Sequence, residues 1–171
     1  MERAIVLGLI LSTGVCGSAW ATEVKLDEFN GMAVDNKITV SADITVNGDS
    51  AKLGFASTDN SFYGNTVTVG DGVSLSIKDV NMVAPKINGN GDISIDNSSK
   101  NGISGIISTG YNDDNRGIVN AHNITIVTNG SAINAYGGKI DVNATGKVDI
   151  KTDTYGIHAQ VNDGWIDGGE I

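Results

Sequence analysis

The chain has 171 residues, a formal net charge of −9, one cysteine and one proline. That acidity sets it against phosphate backbones and anionic membrane surfaces, because both demand clustered Lys or Arg, and Arg116 is the only arginine after Arg3. With Cys16 as the lone thiol, nothing after residue 21 can form a disulfide, so the folded part must stand on burial and hydrogen bonding alone.

At the N-terminus, Glu2 and Arg3 precede an apolar run from Ala4 to Leu11, and Ser12 to Ser18 lead to Ala19-Trp20-Ala21. This is the layout of a helical secretory signal peptide over residues 1–21, with an A-x-A site cleaved between Ala21 and Thr22. A transmembrane helix would need about 20 consecutive apolar residues, and Ser12, Thr13, Gly14, Gly17 and Ser18 interrupt this stretch. A lipoprotein would carry a small residue before the acylated cysteine, where Val15 stands before Cys16. Exported chains lose the leader, and with it one acid and one base, so the mature part keeps the whole negative charge.

From Thr22 onward the chain is rich in Gly, Asn, Asp, Ser and Thr, with Ile and Val as its main apolar residues. Residues 22–64 carry Phe29, Phe55, Phe62 and Tyr63 at irregular spacings. A repetitive sheet must cover its terminal edge, so this stretch reads as an N-terminal cap or a set of atypical first rungs. Short apolar-polar alternations follow one another along the chain: Ile38-Thr39-Val40, Ile44-Thr45-Val46, Val67-Thr68-Val69, Val73 to Ile77, Ile93-Ser94-Ile95, Ile124-Thr125-Ile126, Ile140-Asp141-Val142 and Val148-Asp149-Ile150. Each has the period of a half-buried strand. No window carries apolar residues at helical spacing among helix formers, so almost no helix is expected after residue 21.

Three blocks share one layout, an apolar-x-apolar strand, a polar turn, then a small residue and Ile. Ile93-Ser94-Ile95 leads to Gly105-Ile106, Ile124-Thr125-Ile126 to Ala132-Ile133, and Val148-Asp149-Ile150 to Gly156-Ile157. The step from Ile126 to Ile133 equals that from Ile150 to Ile157, and the first block has a longer turn. Insertions confined to turns mark a solenoid, because only strand positions stack. With units of about 20–45 residues, the mature part would hold about four to seven rungs. The expected fold is all-β, a right-handed parallel β-helix solenoid, with its repeats over residues 65–171. The competing arrangement is a β-sandwich with Gly-rich hairpins. Small residues before the recurring Ile suit a tight corner, and Asn97, Asn129 and Asn143 are expected in left-handed turns, where an Asn ladder would satisfy amides internally. Because the sequence stops at Gly168-Gly169-Glu170-Ile171 as a further apolar position appears, it reads as a fragment of a longer protein.

The leader ending Ala19-Trp20-Ala21, the run Gly91-Asp92-Ile93-Ser94-Ile95, the run Tyr155-Gly156-Ile157-His158-Ala159 and the cysteine-free mature part resemble the passenger domains of bacterial autotransporters. The resemblance covers roughly residues 65–171, as a style of repeat. It implies export through the periplasm, passage across the outer membrane, folding at the cell surface, and an outer-membrane barrel in a C-terminal part that this sequence does not contain.

Catalytic candidates are thin. Gly48-Asp49-Ser50 resembles the start of serine-hydrolase motifs, yet Ala51 follows and neither His122 nor His158 is placed to serve as its base, so a polar turn is the better reading. Asp113-Asp114 is the one adjacent aspartate pair available to a polysaccharide-cleaving site, in a stretch of turn composition that reads first as a solvated loop and second as a weak Ca²⁺ loop. Gly89-Asn90-Gly91-Asp92 is a single near miss to calcium-binding nonapeptides. The two histidines are too isolated for zinc, and Trp165 and Tyr155 are expected to cap rungs rather than stack on sugars. Sequons at Asn97, Asn123, Asn129 and Asn143 follow from composition. No catalytic, cofactor or metal residue is therefore assigned. The expected function is a surface-exposed or secreted adhesin or structural stalk that binds a host or bacterial cell-surface ligand or matrix through an extended face. The alternative is a β-helical polysaccharide hydrolase or lyase, which a row of carboxylates along one side would favour.

Overall fold

The structure is a computed structural model that describes residues 21–54, 60–109, 116–136 and 138–160. The expected leader up to residue 20, Phe55, the Asp113-Asp114 pair and Trp165 lie outside the described residues. What is described is all-β and built from three parallel sheets, the arrangement of a parallel β-helix.

In chain order, β1 (Thr22–Lys25) precedes helix α1 (Leu26–Gly31), then β2 (Lys37–Val40), β3 (Ile44–Asn47), β4 (Ser61–Phe62), β5 (Thr66–Val69) and β6 (Ser74–Lys78). There follow β7 (Asn81–Val83), β8 (Lys86–Gly89), β9 (Asp92–Asn101), β10 (Ile106–Thr109) and β11 (Gly117–Ala121). The last are β12 (Ile124–Asn129), β13 (Ile133–Tyr136), β14 (Ile140–Ala144), β15 (Val148–Thr152) and β16 (Ile157–Gln160). Sheet I runs β1-β3-β6-β9-β12-β15, sheet II runs β2-β5-β8-β11-β14, and sheet III runs β4-β7-β10-β13-β16. From β2 on, the chain visits sheets II, I and III in turn and then begins the next coil.

Register shows what fixes this order. Val46, Ile77, Ile95, Ile126 and Ile150 lie opposite one another in sheet I. Ile38, Val67, Ile87, Val119 and Val142 form the matching column of sheet II. Phe62, Met82, Ile106, Ile133 and Ile157 form that of sheet III. A strand has a side-chain period of two, so a slip by one residue would turn each apolar column outward. The three columns meet in one continuous core, in which Ile95, Ile126, Ile87, Val119 and Ile106 have no exposed surface.

The three repeat blocks stack as their sequence implies, with Ile95 and Ile150 opposite Ile126, and Ile106 and Ile157 opposite Ile133. The longer first turn is a bulge. Thr128 pairs with Asn97 but the next residue, Asn129, pairs with Asn101, so Ser98, Ser99 and Lys100 are extra on β9. Connections absorb still more variation, for register partners lie 18 residues apart between Leu75 and Ile93 and 32 apart between Lys86 and Ile118. Two of the three small residues before the recurring Ile mark a tight corner, while Gly156 has nothing within 4 Å of where its Cβ would be. A Cβ on Gly105 would sit 2.7 Å from the Ala132 carbonyl oxygen, and Ala132 itself is fully buried.

Residues 22–64 contribute β1 to β4, which pair into the same three sheets, and one element that the sequence pattern does not reveal. Helix α1 has only six residues, too few for a helical period to show, yet Leu26 and Phe29 bury one side of it while Asp27 and Glu28 occupy its first turn. The Glu28 carboxylate accepts the Lys25 N–H at 3.0 Å, and the Phe29 ring packs on Phe62 with centroids 6.1 Å apart. Tyr63, by contrast, is exposed.

One expectation about turns is corrected. Among the described non-glycine residues, left-handed backbone falls at Asp35, Asn36, Asn60, Asp79 and Ala84, and Asn97, Asn129 and Asn143 are strand residues. Asn97 points inward at the end of sheet I's strand positions, fully buried. Its amide is in demand there: Nδ2 donates to the Val80 carbonyl (2.8 Å) and the Ser104 carbonyl (3.3 Å), and Oδ1 accepts the Val80 N–H (3.1 Å). Thr128 and Thr152, its register partners on the next coils, donate their hydroxyls to the carbonyls of Ile103 and Gly130. An inward polar row thus ties the bend between sheets I and III, which composition alone assigns to turns.

Replacing Ile126 by Ala should cost about 2–5 kcal/mol through lost burial and the cavity left behind, read as a lower urea midpoint at constant slope. Asn97→Leu should cost about 1–3 kcal/mol by stranding the Val80 and Ser104 backbone groups. If Asn97→Leu instead stabilises the chain, the inward row is not a fastening.

Candidate functional site

Three outer faces are available to meet a partner, and they differ in what their polar groups already do. On sheet II, Thr39, Thr68, Asn88, Asn120 and Asn143 fall on one outward row. Asn143 Nδ2 donates to Asn120 Oδ1 at 2.9 Å, and Asn120 Nδ2 donates to Asn88 Oδ1 at 2.7 Å. The Asn ladder expected at a corner therefore exists on a flat face, and its amides are committed to one another. Beside it Arg116 meets Asp141 at 2.5 Å, half-exposed on both sides, an ion pair of the kind that contributes at most about 1 kcal/mol.

On sheet III the outward positions Val83, Ile107 and Asn134 are buried. Gly54 N–H reaches the outward Asn81 Oδ1 at 3.0 Å, and the Lys100 ammonium bonds the Leu53 carbonyl, which lays Leu53 and Gly54 against this sheet. Much of face III is thereby closed to solvent.

Sheet I is different. Its outward middle row is Glu23, Thr45, Ser76, Ser94, Thr125 and Asp149. Among the described residues, the hydroxyls of Thr45, Ser76, Ser94 and Thr125 have no hydrogen-bond partner within the protein. Along the adjoining corner runs a second row, Asp43, Ser74, Asp92, Asn123 and Lys147, one residue before each strand's first apolar position. Here side chains hold the next coil. Asp43 Oδ1 accepts the Ser74 N–H (2.8 Å), Asp92 Oδ1 accepts the Asn123 N–H (3.2 Å) and Nδ2 (2.9 Å), and Asn123 Oδ1 accepts the Lys147 N–H (2.9 Å). The Lys147 ammonium pairs with Asp149 at 3.0 Å. Small hydroxyls beside a raised corner leave a shallow groove of about 410 Å³ over Ser74, Ser76, Asp92, Ser94, Asn123, Thr125, Lys147 and Asp149.

The sequence signal for these two rows is an Asx or Ser, an apolar residue, a Ser or Thr, and a second apolar residue. It occurs as Asp43-Ile44-Thr45-Val46, Ser74-Leu75-Ser76-Ile77, Asp92-Ile93-Ser94-Ile95 and Asn123-Ile124-Thr125-Ile126. Reading only the apolar-x-apolar part recovers the core and overlooks the face.

The other candidates are dispersed. Gly48-Asp49-Ser50 forms a turn, in which Asp49 Oδ1 accepts the Ala51 N–H at 3.0 Å and Asn60 ties Asp49 to the Asp79 carbonyl. His122 occupies the corner between β11 and β12, 3.1 Å from the Thr145 hydroxyl. His158 lies on β16 and stacks on the exposed Tyr155, with centroids 4.9 Å apart. Among the described residues no three acids, histidines or cysteines converge as a metal site would require. The four sequon amides are all donors in the fold: Asn97 to Val80 and Ser104, Asn123 to Asp92, Asn129 to Ser98 and Asn101, and Asn143 to Asn120.

Asn120→Ala, which removes the middle rung of the ladder and leaves the amides above and below without a partner, should lower stability by about 1–2 kcal/mol. Thr39→Ala on the same row should change it by less than about 0.5 kcal/mol. Equal urea midpoints for the two variants would show that the ladder is ornamental to stability.

Compared with family models, curated proteins and solved structures, the chain gives no significant match.

Proposed function

We propose that the chain is a surface-exposed or secreted passenger of the autotransporter kind, acting as an adhesin or structural stalk that binds through an extended face of its β-helix. Right-handed coiling is part of this reading, since connections between parallel strands of one sheet take that hand in nearly all cases. Residues 22–64 then supply the first coil, with α1 as the end cover that keeps the terminal edge from pairing. The leader up to Ala21 is removed on export, and Thr22 becomes the new N-terminus.

The observation that carries the binding part is the contrast between the three faces. Sheet II ties Asn88, Asn120 and Asn143 into a ladder and keeps unbonded hydroxyls on that row only at Thr39 and Thr68, and sheet III is largely closed, whereas sheet I presents four hydroxyls without a partner among the described residues, of which Ser76, Ser94 and Thr125 line a groove that follows the coil axis. An elongated partner lying along sheet I would gain a similar polar contact at each coil, and its affinity would grow with the number of coils engaged. The carboxylates beside the groove weigh against the polysaccharide-cleaving alternative. Asp92 is held by Asn123, and Asp149 by Lys147. A hydrolase of that class needs two carboxyls about 5–9.5 Å apart with one kept as an acid.

Two measurements test the proposal. N-terminal sequencing of exported protein should begin at Thr22, and retention of Met1 on a protein found outside the cell would count against the leader. Cells that produce the protein should adhere to one another, to host cells or to matrix, and Ser94→Lys with Thr125→Lys should reduce that adhesion severalfold while Thr68→Lys on sheet II leaves it unchanged. Equal adhesion by all variants would remove sheet I from the binding role. Release of reducing ends from polysaccharide by the purified chain would replace the adhesin by an enzyme.

A further inference from the structure

Six Asn-Gly pairs occur, at Asn30, Asn47, Asn88, Asn90, Asn101 and Asn129. Asn-Gly is the dipeptide most open to self-modification, because a glycine nitrogen with no neighbouring Cβ can approach the asparagine side chain with least hindrance. In an unfolded chain the six would react alike. The fold separates them.

We propose that Asn101 is the first site of spontaneous deamidation and isoaspartate formation, an exposed Asn-Gly pair whose glycine the folded coil leaves with open space around it. The reaction needs the glycine N–H released and the Asn-Gly peptide free to turn until that nitrogen meets Cγ. Gly102 meets both conditions. Its N–H makes only a long bond to the Asn129 carbonyl, 3.4 Å, its φ is +73°, and nothing lies within 4 Å of where its Cβ would be. Asn101 itself is exposed, and among the described residues its side chain makes one hydrogen bond, a long one of 3.4 Å accepted from Asn129 Nδ2.

The other five have less freedom to turn; Asn90 is exposed and the Gly91 N–H carries no bond among the described residues, so that pair is restrained by the packing of Gly91 alone. Gly48 donates to the Lys78 carbonyl at 2.8 Å and is packed on Asp79. Gly89, Gly91 and Gly130 are packed against the backbones of Val69, Val73 and Ile103, with no room for a methyl group. Asn88 and Asn129 are also tied through their side chains, Asn88 to Asn120 and Asn129 to the Ser98 carbonyl at 2.6 Å. Gly31 has open space, but Asn30 sits in the last turn of α1, where helical hydrogen bonding keeps the next nitrogen away from the side chain.

The chemistry needs only water. The deprotonated Gly102 nitrogen attacks Asn101 Cγ, the new N–Cγ bond closes a five-membered imide, and the Cγ–Nδ2 bond breaks, with Nδ2 leaving as ammonia. Water then opens the imide at either carbonyl, giving aspartate or isoaspartate. Aspartate keeps an acceptor for Asn129 Nδ2. Isoaspartate lengthens the backbone where β9 rejoins β12 after its bulge.

The test is to incubate the full chain at mildly alkaline pH, folded and in denaturant, and to follow each Asn-Gly peptide by mass spectrometry after digestion in mild acid. In the folded chain the deamidation mass gain should appear first on the peptide holding Asn101, split into two chromatographic products. In denaturant all six should gain mass at similar rates. N101Q should abolish the early product without altering the others. Earlier or equal gain at any other pair in the folded chain, or a folded order that matches the denatured one, would overturn the proposal.

Discussion

Vertical registry is the constraint on which the rest of this structure depends. Each coil is too short to bury a core, and it becomes stable only when its Ile and Val side chains lie over those of the coil before and under those of the coil after. Full burial of one such side chain is worth about 1.5–3 kcal/mol, while a strand of four or five residues must also meet the entropy of fixing its backbone, about 1–2 kcal/mol per residue. No coil closes that gap alone. The same registry places the outward side chains in rows, so whatever one coil offers to its surroundings the next one offers again a strand spacing further on. Core and surface are two readings of one alignment.

Much of the fold was legible because that alignment leaves a direct trace in sequence. Ile95, Ile126 and Ile150 share one place in three blocks, as do Ile106, Ile133 and Ile157, and the structure pairs them as the blocks imply. Helix α1 left no trace of that kind, since six residues hold fewer than two turns and its two buried side chains, Leu26 and Phe29, look like any pair of apolar residues in an irregular stretch. Asn97 was misread for a different reason. Asparagine is a turn former by intrinsic preference, and only the packing of a neighbouring bend, with Val80 and Ser104 both needing partners, explains why one should be buried in a strand.

The outer faces were legible in part. Asn content suggested a ladder, but its location on sheet II follows from which Asn residues share a row, and that requires the register of β8, β11 and β14. The corner row Asp43, Asp92 and Asn123 lies one residue before the first apolar position of each strand, outside the apolar-x-apolar pattern that marks the core. The groove on sheet I is not visible in any single strand, because it forms only where register brings the two rows side by side across four coils. Its hydroxyls become informative only once the ladder of sheet II shows what committed polar groups look like in this molecule.

The Asn143 and Asn120 amides donate in one direction, to Asn120 and Asn88 respectively, each toward the coil nearer the N-terminus. Their dipoles therefore add head to tail, and a side-chain row acquires the polarity that helices obtain from their backbones. Each bond also polarises the next, so the middle amide matters more than a tally of pairs would suggest. A solenoid decorated in this way has an electrically distinct top and bottom, even where its surface carries no charge.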